Sequence, residues 1–208
     1  MESALTLIPP QTEGRHNDFI HEKAFNNHKE AHVAFKTTVA RLLSVNNWHE
    51  YSGAASAKFN LTNNEGKDLD VLAAEGFCIS IDLPGPTPGP VAGDGLEWVV
   101  IERLVAEGDS STHEEFILMT VRPIADPRKT TNNTAHFFKD QSTNSFLVTR
   151  RGNKLFAESH GRNELPNNSN VDLHDKIRNT VIALTARIGV SGIQWQKLVT
   201  GLIEYQER

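Results

Sequence analysis

The sequence predicts an α+β fold: a curved antiparallel sheet of about six or seven strands, with a long N-terminal helix and two C-terminal helices. Three observations carry this. Apolar residues recur with helical period near both ends of the chain. The middle alternates with period two. Polar turns, not helices, join the alternating segments.

Residues 1–17 are polar, contain Pro9-Pro10, and read as a flexible N-terminal arm; residues 18–208 read as a single α+β domain. The spacing predicts a helix over 18–45, with Phe25, Phe35, Val39, Leu42 and Leu43 in one stripe, ended by Asn46-Asn47. Strands are expected at "AKFNLT" (57–62), "FCISIDL" (77–83), "LEWVVIERLV" (96–105), "EEFILMTVRP" (114–123), "AHFF" (135–138), "NSFLVTRRG" (144–152) and "KLFAESH" (154–160). In the third of these, Trp98 and Val100 face one way and Val99 and Ile101 the other, so that strand is expected to be covered on both sides. Gly152-Asn153 supplies a hairpin turn. A meander is the economical topology.

Helical period returns late. Asp172 is placed to cap a helix carrying Leu173, Ile177, Val181, Leu184 and Ile188, which Gly189 stops. A second, opened by Ser191, carries Trp195, Leu198, Leu202 and Ile203.

Between Leu83 and Leu96 the chain runs through Pro84, Pro86, Pro88 and Pro90, with glycines between them. A minimal hairpin needs fewer residues. Proline stiffens such a loop and glycine lets it turn. It reads either as a cap on a sheet edge or as a semi-rigid lip over the sheet's open end. Its glycines match neither the dinucleotide fingerprint nor the P-loop.

Composition narrows the function classes. A net charge of −5 and no long basic run argue against a sequence-independent nucleic-acid binder. No secretory signal and no apolar run long enough to span a membrane is read, so a cytoplasmic location is expected. A single cysteine, Cys78, within an apolar run reads as a small core residue, not a catalytic thiol. The triplets at Asn60, Asn132 and Asn167 read as turn-rich polar sequence. Neither a nucleophile elbow nor a cofactor motif is found, so no cofactor is called for.

A long early helix, Trp48 shortly after it, a meander and an amphipathic C-terminal helix together resemble the START-like helix-grip superfamily, which includes polyketide cyclases and plant hormone receptors. The resemblance is one of element order across residues 18–188. It implies a sheet gripping the C-terminal helix, an apolar cavity between them, and loops such as 84–95 around its mouth. Two features depart from the pattern. Only "ALTLI" (4–8) is available as the customary first strand, and Gly189 and Gly192 divide the last helix. No catalytic residue follows from the resemblance.

Candidate chemistry is thin. His21, His28 and His32 share the first helical stripe, but "HKEAH" is not the zinc-protease pattern and no third ligand is evident, so packing is the simpler reading and no metal is assigned. "HGRNELPN" (160–167) is the densest polar group. His160 is suited to proton exchange, Arg162 to clamping an anion, Glu164 to acting as a base, with Asn163 between them. Alternation sets His160 on one face with Phe156 and Glu158. His136 and Trp98 join the ligand-binding candidates from other strands. The expected function is binding of a small apolar or amphipathic ligand. A cyclase- or hydratase-type enzyme in the same cavity, using His136, His160 or Glu164, is the first alternative. A protein-interaction module without a cavity is the second.

Overall fold

The computed structural model describes residues 4–53, 56–84, 90–167 and 192–206. Seven strands form one antiparallel sheet in the order β1-β7-β6-β5-β4-β3-β2: β1 Arg15–Ala24, β2 Lys58–Thr62, β3 Cys78–Asp82, β4 Glu97–Glu107, β5 Glu114–Pro123, β6 Thr143–Arg151 and β7 Lys154–Glu164. Strands β2 to β7 are the expected meander. Gly152, at φ +59°, makes the tight β6–β7 turn, with Arg151 paired to Lys154.

The inner face of the sheet carries helix α1 (His28–Leu43), the single turn α2 (Trp48–Tyr51) and the helical residues 192–204. Phe35 and Leu42 of α1, Trp48, Leu198 and Leu202 pack with Ile79, Ile101, Met119 and Val148 in one core. Trp48 is 1% exposed; its ring meets Phe59 and Phe146 edge-on at 5.2 and 5.0 Å, and its Nε1 donates to the Leu42 carbonyl at 3.0 Å. Asn27 caps α1 through its side chain, and Glu30 reaches back to Asn26 and Asn27. Arg41 donates to the carbonyls of Leu202 and Tyr205, at 3.0 and 2.7 Å, and so caps the C-terminal end of 192–204 from α1.

The sheet's outer face is covered too. Ala4, in a 3-10 turn over Ala4–Leu7, packs on Phe116, Leu118 and Leu147. A second cover, including Ala92, Leu96 and Ala135, lies on Cys78 and Trp98. Strands β4 and β5 therefore meet apolar neighbours on both faces, as their near-continuous apolar runs required. Cys78 is buried, and burial pushes its thiol up, away from a reactive thiolate.

Several expectations are corrected. Residues 18–24 are strand, not helix; α1 begins only at His28. The customary first strand is β1, while Ala4–Leu7 is a 3-10 turn. Residues 135–138 form no continuous strand, only an isolated bridge at Phe138, and two of their backbone donors go to side chains. Phe137 N bonds the Glu97 carboxylate at 2.7 Å, and Phe138 N bonds His136 Nδ1 at 3.0 Å. Within the segment read as an arm, Thr12 and Glu13 are tied to Asn163. The helix expected over 172–188 and residues 85–89 of the proposed lip lie outside the described residues. The three histidines do not share a stripe: His21 is on β1, where it meets Glu204, whereas His32 meets Glu115 at 2.6 Å.

Candidate functional site

A narrow pocket opens on the inner face between the sheet and residues 192–204. Ile79 and Ile81 of β3, Val99 of β4, Val121 of β5 and Phe146 of β6 form its apolar floor, and Trp48 and Trp195 lie over them. Trp195 reaches Phe146 at 5.2 Å and Phe59 at 5.9 Å between ring centroids. The space enclosed is about 40 Å³, room for a few water-sized groups.

One end of the pocket is polar. Glu97 belongs to β4 and follows the same parity as Val99, which turns it inward. His136 comes from the loop that lies along β4. Asn144 starts the inner row of β6, with Ser142 and Thr143 beside it. Glu164 closes β7. The inward turn of Glu164 has a local cause. Asn163 adopts φ +55°, a left-handed conformation that Asn tolerates, and this breaks the alternation of β7. Gly161 lies beneath: a Cβ there would come 2.3 Å from Glu164 Oε1 and 2.6 Å from Asn17 Nδ2.

Glu164 is 7% exposed, and its carboxylate accepts a hydrogen bond from Asn17 Nδ2. Burial pushes it up to about 7, against the pull of that bond and of Arg15 and Arg162. His136 Nδ1 accepts the Phe138 N–H at 3.0 Å and stands 3.7 Å from Glu97 Oε2. The site thus offers a proton-exchanging carboxyl in an apolar enclosure, with amide and hydroxyl groups around it.

The other sequence-derived candidates stand elsewhere. His160 and Arg162 project from the outer face of β7. His160 Nδ1 meets Asp18 Oδ1 at 2.6 Å, its Nε2 meets Glu158 Oε2 at 3.0 Å, and Arg162 meets Asp18 at 2.7 Å. Leu5, Ile8 and Pro10 border the same outer groove. Asn163 fastens the N-terminal segment: its Oδ1 accepts from Thr12 N and Glu13 N at 2.8 and 3.1 Å, and its Nδ2 donates to the Pro10 carbonyl at 3.0 Å. Trp98 is buried under the outer cover, with the Arg128 guanidinium 5.0 Å from its ring centroid. Of the six candidates only His136 and Glu164 line the pocket, together with Glu97 and Asn144, which the sequence reading passed over. A signal existed for Glu97: it is an acid on the same parity as Val99 and Ile101, which are buried.

The strand order, with helices packed on one face of an open meander, is the helix-grip layout that the element order implied. Several solved structures align with the chain over most of its length. The major latex-like protein 151 of Panax ginseng aligns over 86% of this chain and 99% of its own, with 15% identity and a TM-score of 0.37. A norcoclaurine synthase point mutant of Thalictrum flavum aligns over 91% and 97%, with 10% identity and a TM-score of 0.34. The protein Ms6760 of Mycobacterium smegmatis aligns over 92% and 98%, with 15% identity and a TM-score of 0.36. No protein-family model and no curated protein sequence matches the chain. These likenesses bring neither a residue role nor a ligand to this chain. Among the described residues, no helix is long and apolar enough to cross a membrane.

Proposed function

We propose that the protein is a small-molecule binding module that holds a largely apolar ligand between the sheet and residues 192–204. One observation carries the reading: an apolar floor and two tryptophans converge on a short polar end formed by His136, Asn144 and Glu164. Apolar walls with a few placed polar groups are the usual make-up of a ligand site. A space of about 40 Å³ admits only a slim molecule, so anything larger requires residues 192–204 to lift from the sheet. His160, Arg162 and Asn163 serve this site from behind, by tying β1 and the N-terminal segment to β7. Native mass spectrometry of the purified chain, repeated after denaturation, is the test. A co-purifying small molecule released on unfolding is expected; a mass that matches the bare chain in every preparation, with no ligand raising the melting temperature, contradicts the reading.

A second reading, an enzyme of cyclase or hydratase type, is favoured by Glu164 alone. A carboxyl near 7 is matched to general acid–base work at neutral pH. It requires Glu164→Gln to abolish turnover while leaving ligand binding intact.

A further inference from the structure

The polar end of the pocket holds more hydrogen-bonding capacity than the chain uses. Asn144 Oδ1 accepts from Ser159 Oγ at 3.0 Å, but its Nδ2 is buried with no partner among the described residues. Asn17 Oδ1, on the residue that holds the Glu164 carboxyl, is also buried without a partner among the described residues. A buried polar atom left without a bond costs about 1–3 kcal/mol, so an unmet amide donor in the wall of the pocket is suited to meet a group from outside the chain.

The surroundings fix what that group is. Neither Lys nor Arg is among the described residues lining the pocket, so an ionised carboxylate or phosphate finds no counter-charge there. Around Glu164, β1 brings Arg15 and His16, its own strand brings Arg162, and Glu97 and His136 stand across the pocket. The helical residues 192–204 bring Gly192, Ile193, Trp195 and Gln196, none of them ionisable. The Asn144 amide is a donor, and so is Glu164 in its protonated form.

We propose that the pocket takes a slim neutral molecule ending in one carbonyl oxygen, which accepts from Asn144 Nδ2 and the Glu164 carboxyl while its hydrocarbon body lies on Val99, Val121 and Phe146. This rests on the ligand-binding reading above and gives that site its chemistry. A ketone, aldehyde or ester qualifies; an acid, an amine and a plain hydrocarbon do not.

The test is a matched series on the full chain: hexan-2-one, the isosteric 2-methylhex-1-ene, hexanoate and hexan-2-amine, titrated at pH 5.5 and 8.5. The ketone is expected to bind at least tenfold more tightly than the alkene, with the two ions weaker than both. Ketone affinity falls several-fold at pH 8.5, where Glu164 loses its proton. Glu164→Gln, which keeps a donor, removes that pH dependence. Asn144→Leu brings the ketone down to the alkene's affinity without changing the alkene's. The ligand series on the unaltered chain decides the matter even if a variant fails to fold. Equal binding of ketone and alkene, or tighter binding of hexanoate, overturns the carbonyl proposal and leaves the pocket standing. Failure of all four to bind at millimolar concentration contradicts the binding reading itself.

Discussion

His160 and Asp18 face each other on β7 and β1 and join through a 2.6 Å contact between Nδ1 and Oδ1. Glu158 takes the other ring nitrogen and Arg162 a second line to Asp18, so four charged side chains clasp the edge strand to the sheet. Among the described strands β1 pairs with β7 alone, which makes this clasp a main holding point.

The clasp sets a pH dependence. Burial disfavours charge on His160, but its bonds to Glu158 and Asp18 outweigh that and hold its pKa above the ordinary value. A raised folded-state pKa means that the stabilisation is whole below about pH 6.5 and is lost as pH rises through the folded value. Glu164 acts in the same direction in a lower window. Its ionisation is penalised in the folded state, so stability falls from about 4.5, its unreacted value, to about 7. Urea midpoints are expected to fall steadily from pH 5 to 9. His160→Gln flattens the upper part of that curve and Glu164→Gln the lower part. A curve unchanged by either substitution rules out these assignments.

Asp18 works at the acid end. Burial pushes it up, yet the hydrogen bonds of His160 and Arg162 bring it below the usual carboxylate range. Its contribution is present above about pH 4 and is lost as pH falls further. Asp18→Asn is therefore expected to weaken the fold at pH 6 and to make little difference near pH 2, as read by denaturant titration at both.

Asn163→Gly tests the fastening of the N-terminal segment. Glycine accepts the φ of +55° without strain, so the loss reads the side-chain bonds alone. Amide exchange at Thr12 and Glu13 is expected to accelerate at least tenfold, while exchange in β5 and β6 stays as it was. Unchanged protection at Thr12 contradicts the role.

A buried ion pair lies under α1: Arg150, 1% exposed, donates to Glu115, 3% exposed, which also meets His32. Removing Glu115 alone leaves a cation in the interior, so Glu115→Leu is expected to cost about 3–5 kcal/mol. The double change with Arg150→Met recovers most of that. Comparable losses in the single and double variants, measured by urea unfolding, contradict the account.

The strand series, the hairpin at Gly152 and the shared face of Phe156, Glu158 and His160 were legible because alternation records which side of a sheet is buried. β1 was not. Its sequence, RHNDFIHEKA, has Ile20 as its only β-branched residue, and the strand exists because β7 offers it an edge. The site was half legible for a related reason. Glu164 and His160 sit four residues apart and share a parity, which alternation alone assigns to one face. The left-handed turn at Asn163 sends them to opposite sides. No pattern in residue types records that φ. Nor did the sequence reveal that the N-terminal segment and the loop before β4 cover the outer face, since their apolar residues are few and scattered.

Methyl-resolved NMR on the full chain tests the central claim most directly. On addition of hexan-2-one, shifts are expected at Ile79, Ile81, Val99 and Val121 of the inner face, with Leu118 and Leu147 of the outer face unmoved. Saturable shifts centred on the outer face, or none at any concentration, would contradict a ligand seat between the sheet and residues 192–204.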